Sequence, residues 1–462
     1  VRREKPINAD LPAPEPPEAP PEPPRVEEPK AEKPKPEPEP PKVKEETKGP
    51  APPPLPRRRR HLSLTPFVLL ALVLIAIGFI VAAVLGGGGG PKEESGAAPA
   101  PAAPSEAESA PESASAEALG YPAFATNNTT RVGGSDAAAN AAAVALAVFP
   151  STSAELRPPA VALVDEDDWA GAIAASVLIA PPVRAPLLYS ADGEPPAPTA
   201  EALGALSPVG ESSAEGASAF ALGAVAAPVE GKVTRLPGGN PAAEAAAISA
   251  LRDRLFGAGP RHFLIAPLQE PEFAMPAAAW AARSGDPVLF AEPERLPAPT
   301  RKALREHPGV PAYVLGPPSA ISAAVIKEIA RIADPVKRVS GPDPVANAIA
   351  FARYSAGDFG WNVDDPGHGF VLARSDSPLD AGAASALSAS GTWGPLLLTD
   401  DAAKVPAELR SYFLDVKPGY TTNPTRAFYN HVWVIGDEEA IDVNQQAEVN
   451  ELAELTKIGG GE

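Results

Sequence analysis

Thr130-Arg131-Val132-Gly133-Gly134-Ser135-Asp136 returns as Thr234-Arg235-Leu236-Pro237-Gly238-Gly239-Asn240, and again as Lys337-Arg338-Val339-Ser340-Gly341-Pro342-Asp343. The arginines stand 104 and 103 residues apart. Even spacing over three copies, each leading into the same order of segments, marks one small fold used three times. Behind each copy an Ala-rich stretch predicts a helix, over 137–149, 241–256 and 345–354. Asp136, Asn240 and Asp343 stand where a helix needs an N-cap, and Pro241 and Pro344 fill the first helical position.

Further along each copy comes an apolar run: Ala160-Val161-Ala162-Leu163-Val164, then Phe263-Leu264-Ile265-Ala266, then Phe370-Val371-Leu372-Ala373. A second helix is expected over 169–178, 273–282 and 379–390. A second run follows a proline: Pro186-Leu187-Leu188-Tyr189, Pro287-Val288-Leu289-Phe290 and Pro395-Leu396-Leu397-Leu398. Pro198, Pro299 and Pro406 then open a third helix. The third run ends in glycine, at Gly223, Gly316 and Gly436. Short apolar runs alternating with Ala-rich helices are the pattern of a small parallel sheet covered by helices. The expectation is an α/β fold of three small parallel-sheet modules, 119–231, 232–334 and 335–458, in a pseudo-threefold arrangement. The third copy carries an insertion over 358–369 and a longer stretch over 412–431. Such additions sit on surfaces, either as specificity elements or as tolerated loops.

The part before the repeats has a different character. Residues 1–60 alternate Pro with Glu and Lys and read as a disordered tail. Within 61–85, residues 67–85 form an uncharged apolar run of 19 residues. At about 1.5 Å per residue it reaches roughly 28 Å, close to a bilayer core of about 30 Å, which predicts one transmembrane helix. Arg57-Arg58-Arg59-Arg60 lies on its N-terminal side, so the tail is expected in the cytoplasm and the modules outside. The Gly-rich, then Ala/Pro/Ser/Glu-rich stretch over 86–118 reads as a flexible linker.

Among 462 residues there are 61 prolines and no cysteine, which excludes disulfides and thiolate metal sites. Residues 1–60 hold 14 Lys/Arg against 12 Asp/Glu, so the chain's net charge of −19 is +2 there and −21 beyond it. So acidic an outer part excludes nucleic acid as a partner. Any anionic ligand must be met by local arginines, not by a global field.

The Thr-Arg-hydrophobic-x-Gly-x-Asp/Asn motif at this spacing, the Pro-Leu-Leu strand and the hydrophobic-Leu-Gly strand resemble the cell-wall-binding repeat 2 family of Gram-positive bacterial surface proteins, over roughly residues 121–458. The resemblance implies three tandem α/β modules forming a pseudo-trimer that binds an anionic wall polymer non-covalently. It also implies a wall-binding part for the Ile-Leu-Leu-type strand, here Leu187, Leu188, Val288, Leu289, Leu396, Leu397 and Leu398. The chain departs from the family in two ways. The family's arginine after the Gly-Asp element is replaced by Ala137, Pro241 and Pro344, and the membrane anchor stands in place of a secretory signal.

Arg131, Arg235 and Arg338 are candidate ligand-binding residues, because a guanidinium grips phosphate or carboxylate through two parallel bonds. The competing reading has each arginine pair with a carboxylate of a neighbouring module. The leucine strands read, from their residues alone, as a buried central strand whose part in wall binding would be indirect. Asp165-Glu166-Asp167-Asp168 lies at a sheet edge where a cation could sit, but reads better as a helix-capping cluster. The histidines have no metal spacing, and no Gly-x-Ser-x-Gly elbow, P-loop or cysteine nucleophile exists. No metal, cofactor or enzymatic activity is expected. The reading is a membrane-tethered wall-binding protein whose partners are a wall glycopolymer, the membrane through 67–85, and a cytoplasmic partner of the tail. The alternative is a membrane-anchored signalling or assembly scaffold that binds a protein partner or modulates a wall hydrolase.

Overall fold

The computed structural model describes residues 125–458 except Asp192 and Thr392. All of them belong to one unit of the chain, Ser105–Glu462. The tail, the apolar run of 67–85 and the linker lie outside the described residues. Among the described residues no helix is long and apolar enough to cross a membrane.

The first copy runs β1 (Thr129–Val132), α1 (Ala137–Val148), β2 (Val161–Asp165), α2 (Trp169–Ala175) with a 3-10 turn (Ser176–Ile179), β3 (Leu187–Ser190), α3 (Ala197–Leu206) and β4 (Ala217–Leu222). The second runs β5 (Lys232–Leu236), α4 (Pro241–Phe256), β6 (Phe263–Pro267), α5 (Pro271–Ala274), α6 (Pro276–Ser284), β7 (Val288–Ala291), α7 (Ala298–Glu306), β8 (Ala312–Leu315) and α8 (Ala323–Ile329). The third runs β9 (Val336–Val339), α9 (Pro344–Arg353), β10 (Gly369–Arg374), α10 (Pro378–Ser388), β11 (Leu396–Thr399), α11 (Ala407–Asp415), β12 (Gly419–Tyr420), β13 (His431–Ile435), α12 (Val443–Ala453) and β14 (Thr456–Lys457). Each motif helix starts on its expected cap. Asp136 accepts the N–H of Ala139 at 2.8 Å, Asn240 that of Ala243 at 2.9 Å and Asp343 that of Ala346 at 2.8 Å.

Three four-stranded parallel sheets result, in the orders β3-β2-β4-β5, β7-β6-β8-β9 and β11-β10-β13-β1. The motif itself is a strand, and it completes the sheet of the copy before it. Arg235 stands opposite Ala221, Arg338 opposite Val314, and Arg131, at the start of the first copy, opposite Val434 of the third. The sequence reading places each motif at the start of its module. In the structure the strand ends one sheet and the helix behind it begins the next unit. The strand is inconspicuous in sequence because it lies on a sheet edge. β5 is mostly exposed or half-buried and needs no continuous apolar run.

Three strand exchanges therefore close the units into a ring. At its centre α10 packs against α1, α2 and α6. Small side chains allow the approach: a Cβ added at Gly382 of α10 would lie 2.8 Å from the Cβ of Ala172 of α2. The insertion over 358–369 is anchored by apolar side chains. Phe359 is buried and stacks on Tyr313 of β8 with ring centroids 3.5 Å apart, and Val363 is buried too.

Candidate functional site

The three arginines do the same job at three joints. In each copy the arginine stands opposite the residue two before the glycine that ends the neighbouring strand, and reaches over that glycine's turn. Arg131 donates to the carbonyls of Gly436 at 3.0 Å, Asp437 at 2.5 Å and Ile441 at 2.5 Å, and to Gln446 Oε1 at 2.8 Å. Arg235 donates to Gly223 O at 3.2 Å and Val225 O at 3.0 Å. Arg338 donates to the carbonyls of Gly316 and Ile321. Arg131 is 4 % exposed, Arg338 half-buried and Arg235 exposed. Burial pulls the Arg131 and Arg338 guanidinium pKa values down. Apart from Gln446 Oε1, the acceptors are backbone carbonyls of the neighbouring unit, where the sequence reading expected carboxylates.

Leu187, Leu188, Val288, Leu289, Leu396, Leu397 and Leu398 are all buried, in β3, β7 and β11. Next to them, the buried Tyr189 hydroxyl donates to the carbonyl of Leu379 in the third unit. This strand thus ties into the centre of the ring.

Clefts open at the carboxyl ends of the parallel strands, where sheets of this class bind ligands. One, of about 620 Å³, lies between the ends of β2 and β4 and the motif loop Gly238-Gly239, with Asp165, Asp168 and Glu244 in its lining. Its counterpart, about 440 Å³, uses the motif loop Gly134-Ser135-Asp136, with Asp376, Asp380 and Trp169. Asp168 caps α2 by accepting the N–H of Gly171 at 2.8 Å, as its place in the acidic run suggested.

A residue missed in the sequence governs both clefts. Four positions after each cap stands a buried polar side chain, Asn140, Glu244 or Asn347. Asn140 accepts the N–H of Gly134 at 2.7 Å and donates to Asp380 Oδ1 at 2.8 Å. Burial raises the Asp380 carboxyl to about 6. Asn347 accepts from Gly341 N at 3.4 Å and donates to Phe273 O at 3.3 Å. Glu244 is buried beside Asp168, and its Oε2 has no hydrogen-bond partner among the described residues. Burial, with Asp168 beside it, raises its carboxyl to about 7. Protonated, Glu244 donates to Asp168 as Asn140 donates to Asp380. The signal was a polar residue inside an Ala-rich helix at the same offset in all three copies.

The outer histidines hold structure together. His262 is buried between Asp286, 3.0 Å from Nδ1, and Asp358 of the insertion, 3.1 Å from Nε2. Burial lowers its pKa and the two carboxylates raise it, with a net upward shift. His307 meets Asp253 at 2.7 Å, His368 meets Asp365 at 3.2 Å and His431 meets Thr130 at 3.1 Å. Among the described residues no group of three or more His, Asp or Glu is arranged to hold a metal ion.

No family model matches the sequence, and no curated protein matches it. The fold is similar to that of Cwp6 and Cwp8 from Clostridium difficile. Each of these solved structures superposes with a TM-score of 0.55 at 18% identity over 71% of this chain. The chain spans about half the length of either, covering 48% of Cwp6 and 52% of Cwp8. At 18% identity the likeness establishes the fold.

Proposed function

We propose that this is a non-enzymatic wall-binding protein, held to the membrane by residues 67–85 and to a wall glycopolymer by its ring of three units. The observation that carries the reading is the closed three-unit fold shared with the cell wall proteins Cwp6 and Cwp8, which supports a role at the cell wall. The structural use of all four outer histidines supports a binding role over a catalytic one. Arg131, Arg235, Arg338 and the leucine strands act on wall binding by keeping the units joined, so their loss weakens binding through the fold. Three units on one body add weak contacts into a useful avidity. The uncharged run of 67–85 and the four arginines before it support the tether and its orientation.

The full chain, solubilised in mild detergent, should co-sediment with walls isolated from its own source and lose that binding once the glycopolymers are extracted. Equal binding to stripped walls would point to peptidoglycan and remove the glycopolymer from the reading.

A further inference from the structure

Both clefts at the sheet ends are lined by carboxylates, which repel an acidic polymer. A pocket of the opposite character lies where the insertion of the third unit meets the second. It encloses about 270 Å³, room suited to a single sugar ring, and its lining includes Arg261, Arg283, Asp358, Trp361 and Trp393. Its one carboxylate, Asp358, is engaged by Arg261 at 3.0 Å and His262 at 3.1 Å. Arg283 has no hydrogen bond or ion pair among the described residues; its guanidinium lies over the indole of Trp393, 4.1 Å from the ring centroid. Trp393 is 40 % exposed and stacks beside Trp361 with centroids 6.3 Å apart. Trp361 is buried, and its Nε1–H has no acceptor among the described residues.

We propose that this pocket is the subsite for an anion-bearing pyranose of the wall polymer. The inference rests on the wall-binding reading and names the chemistry recognised there. Trp393 keeps part of its apolar ring open to the C–H groups of a sugar. An arginine over that indole, with no other partner among the described residues, has its N–H groups available for two parallel bonds to a carboxylate or phosphate. The pocket belongs to one joint alone. Asp358 and Trp361 come from an insertion that the other copies lack, and where the third copy has Trp393, two residues before the strand proline, the others have Arg184 and Gly285. An acidic chain thereby meets an acidic polymer at a local unpaired arginine, Arg283.

Tryptophan fluorescence of the full chain in detergent tests this, with methyl glucuronide, glucose 1-phosphate and neutral methyl glucoside as probes. At least one anionic sugar should bind tenfold or more tighter than the neutral one, and which of the two does so tells a uronate from a phosphate. Arg283→Gln and Trp393→Ala, at surface positions, should each weaken that binding tenfold or more while leaving the far-ultraviolet circular dichroism unchanged. Failure of both anionic probes, or equal binding of the neutral sugar, overturns the assignment. Wall sedimentation separates the two readings. If wild type sediments and both variants sediment equally well, the subsite falls and wall binding stands. If wild type fails to sediment yet binds an anionic sugar, wall binding falls and the subsite stands.

Discussion

Arg131, Arg235 and Arg338 make the same reach over the same turn, yet they differ in burial, and burial sets what each contributes. Replacing Arg131 by alanine leaves three carbonyls and Gln446 without its donors in a dry joint, a loss of about 3 kcal/mol or more. At Arg235, water replaces the guanidinium, and the cost stays within about 1 kcal/mol. Arg338→Ala should fall between them in urea unfolding, and equal losses at all three sites would refute the clasp. Glu244 makes a pH prediction of definite sign. Its carboxyl is raised to about 7, so the native state favours the proton. The stabilisation is complete below the ordinary carboxyl range and is lost as pH rises through 7. Glu244→Gln donates to Asp168 at every pH, as Asn140 does to Asp380. The variant should gain roughly 1–2 kcal/mol over wild type at pH 8 and little at pH 5, read from thermal unfolding across that range.

Helix α10 shows how elements meet at the centre of the ring. Glycine inside a helix normally costs about 1 kcal/mol relative to alanine, so Gly→Ala in a helix should stabilise. At Gly204 in α3 a Cβ would meet nothing within 4 Å, and Gly204→Ala should add about 0.5–1 kcal/mol. At Gly382 the same Cβ would lie 2.8 Å from that of Ala172 and 3.0 Å from the Tyr189 hydroxyl oxygen, so Gly382→Ala should cost about 1–3 kcal/mol. Denaturant midpoints moving in opposite directions check the pair. The elements of this core were largely legible in sequence, because Pro-Leu-Leu runs and Ala-rich helices keep their pattern when buried on both sides. The second helix was read as continuous in all three copies. In the second it divides at Pro276 into α5 and α6, and in the first its last turn tightens to a 3-10 form. The motif strands escaped notice, since four- or five-residue edge strands carrying Thr, Lys and Arg show no continuous apolar run: β5 and β9 are half open to water, and β1, though mostly buried, buries Thr129 and Arg131. Trp361 and Trp393 stayed unassigned for another reason: 32 residues separate them, and only the docking of the insertion brings their rings together.

For the whole molecule, the decisive consequence of the strand exchange is that the first copy completes the third. β1 covers the edge of β13: the N–H of Val432 donates to Asn128 O at 2.9 Å and that of Gly436 to Val132 O at 3.4 Å. Thr126 and the backbone of Asn128 add bonds to Asn450 Oδ1 of α12 at 2.6 and 3.0 Å. A chain beginning at residue 137 keeps every helix and every first, second and third run, but leaves the β13 edge open. If each copy were a self-contained unit, that loss would fall on the first copy. The ring places it on the third. Hydrogen exchange should therefore show Val432 and Gly436 losing protection, while Gly223, bonded to Leu236 O at 3.0 Å, and Gly316, bonded to Val339 O at 3.2 Å, keep theirs. A chain beginning at residue 125 should protect all four amides. Adding a peptide of residues 125–136 to the shorter chain should restore Val432 and Gly436, since it supplies the missing strand and Arg131. Unchanged protection at Val432 and Gly436 in the shorter chain would mean that β1 is dispensable and the ring is not closed by strand exchange.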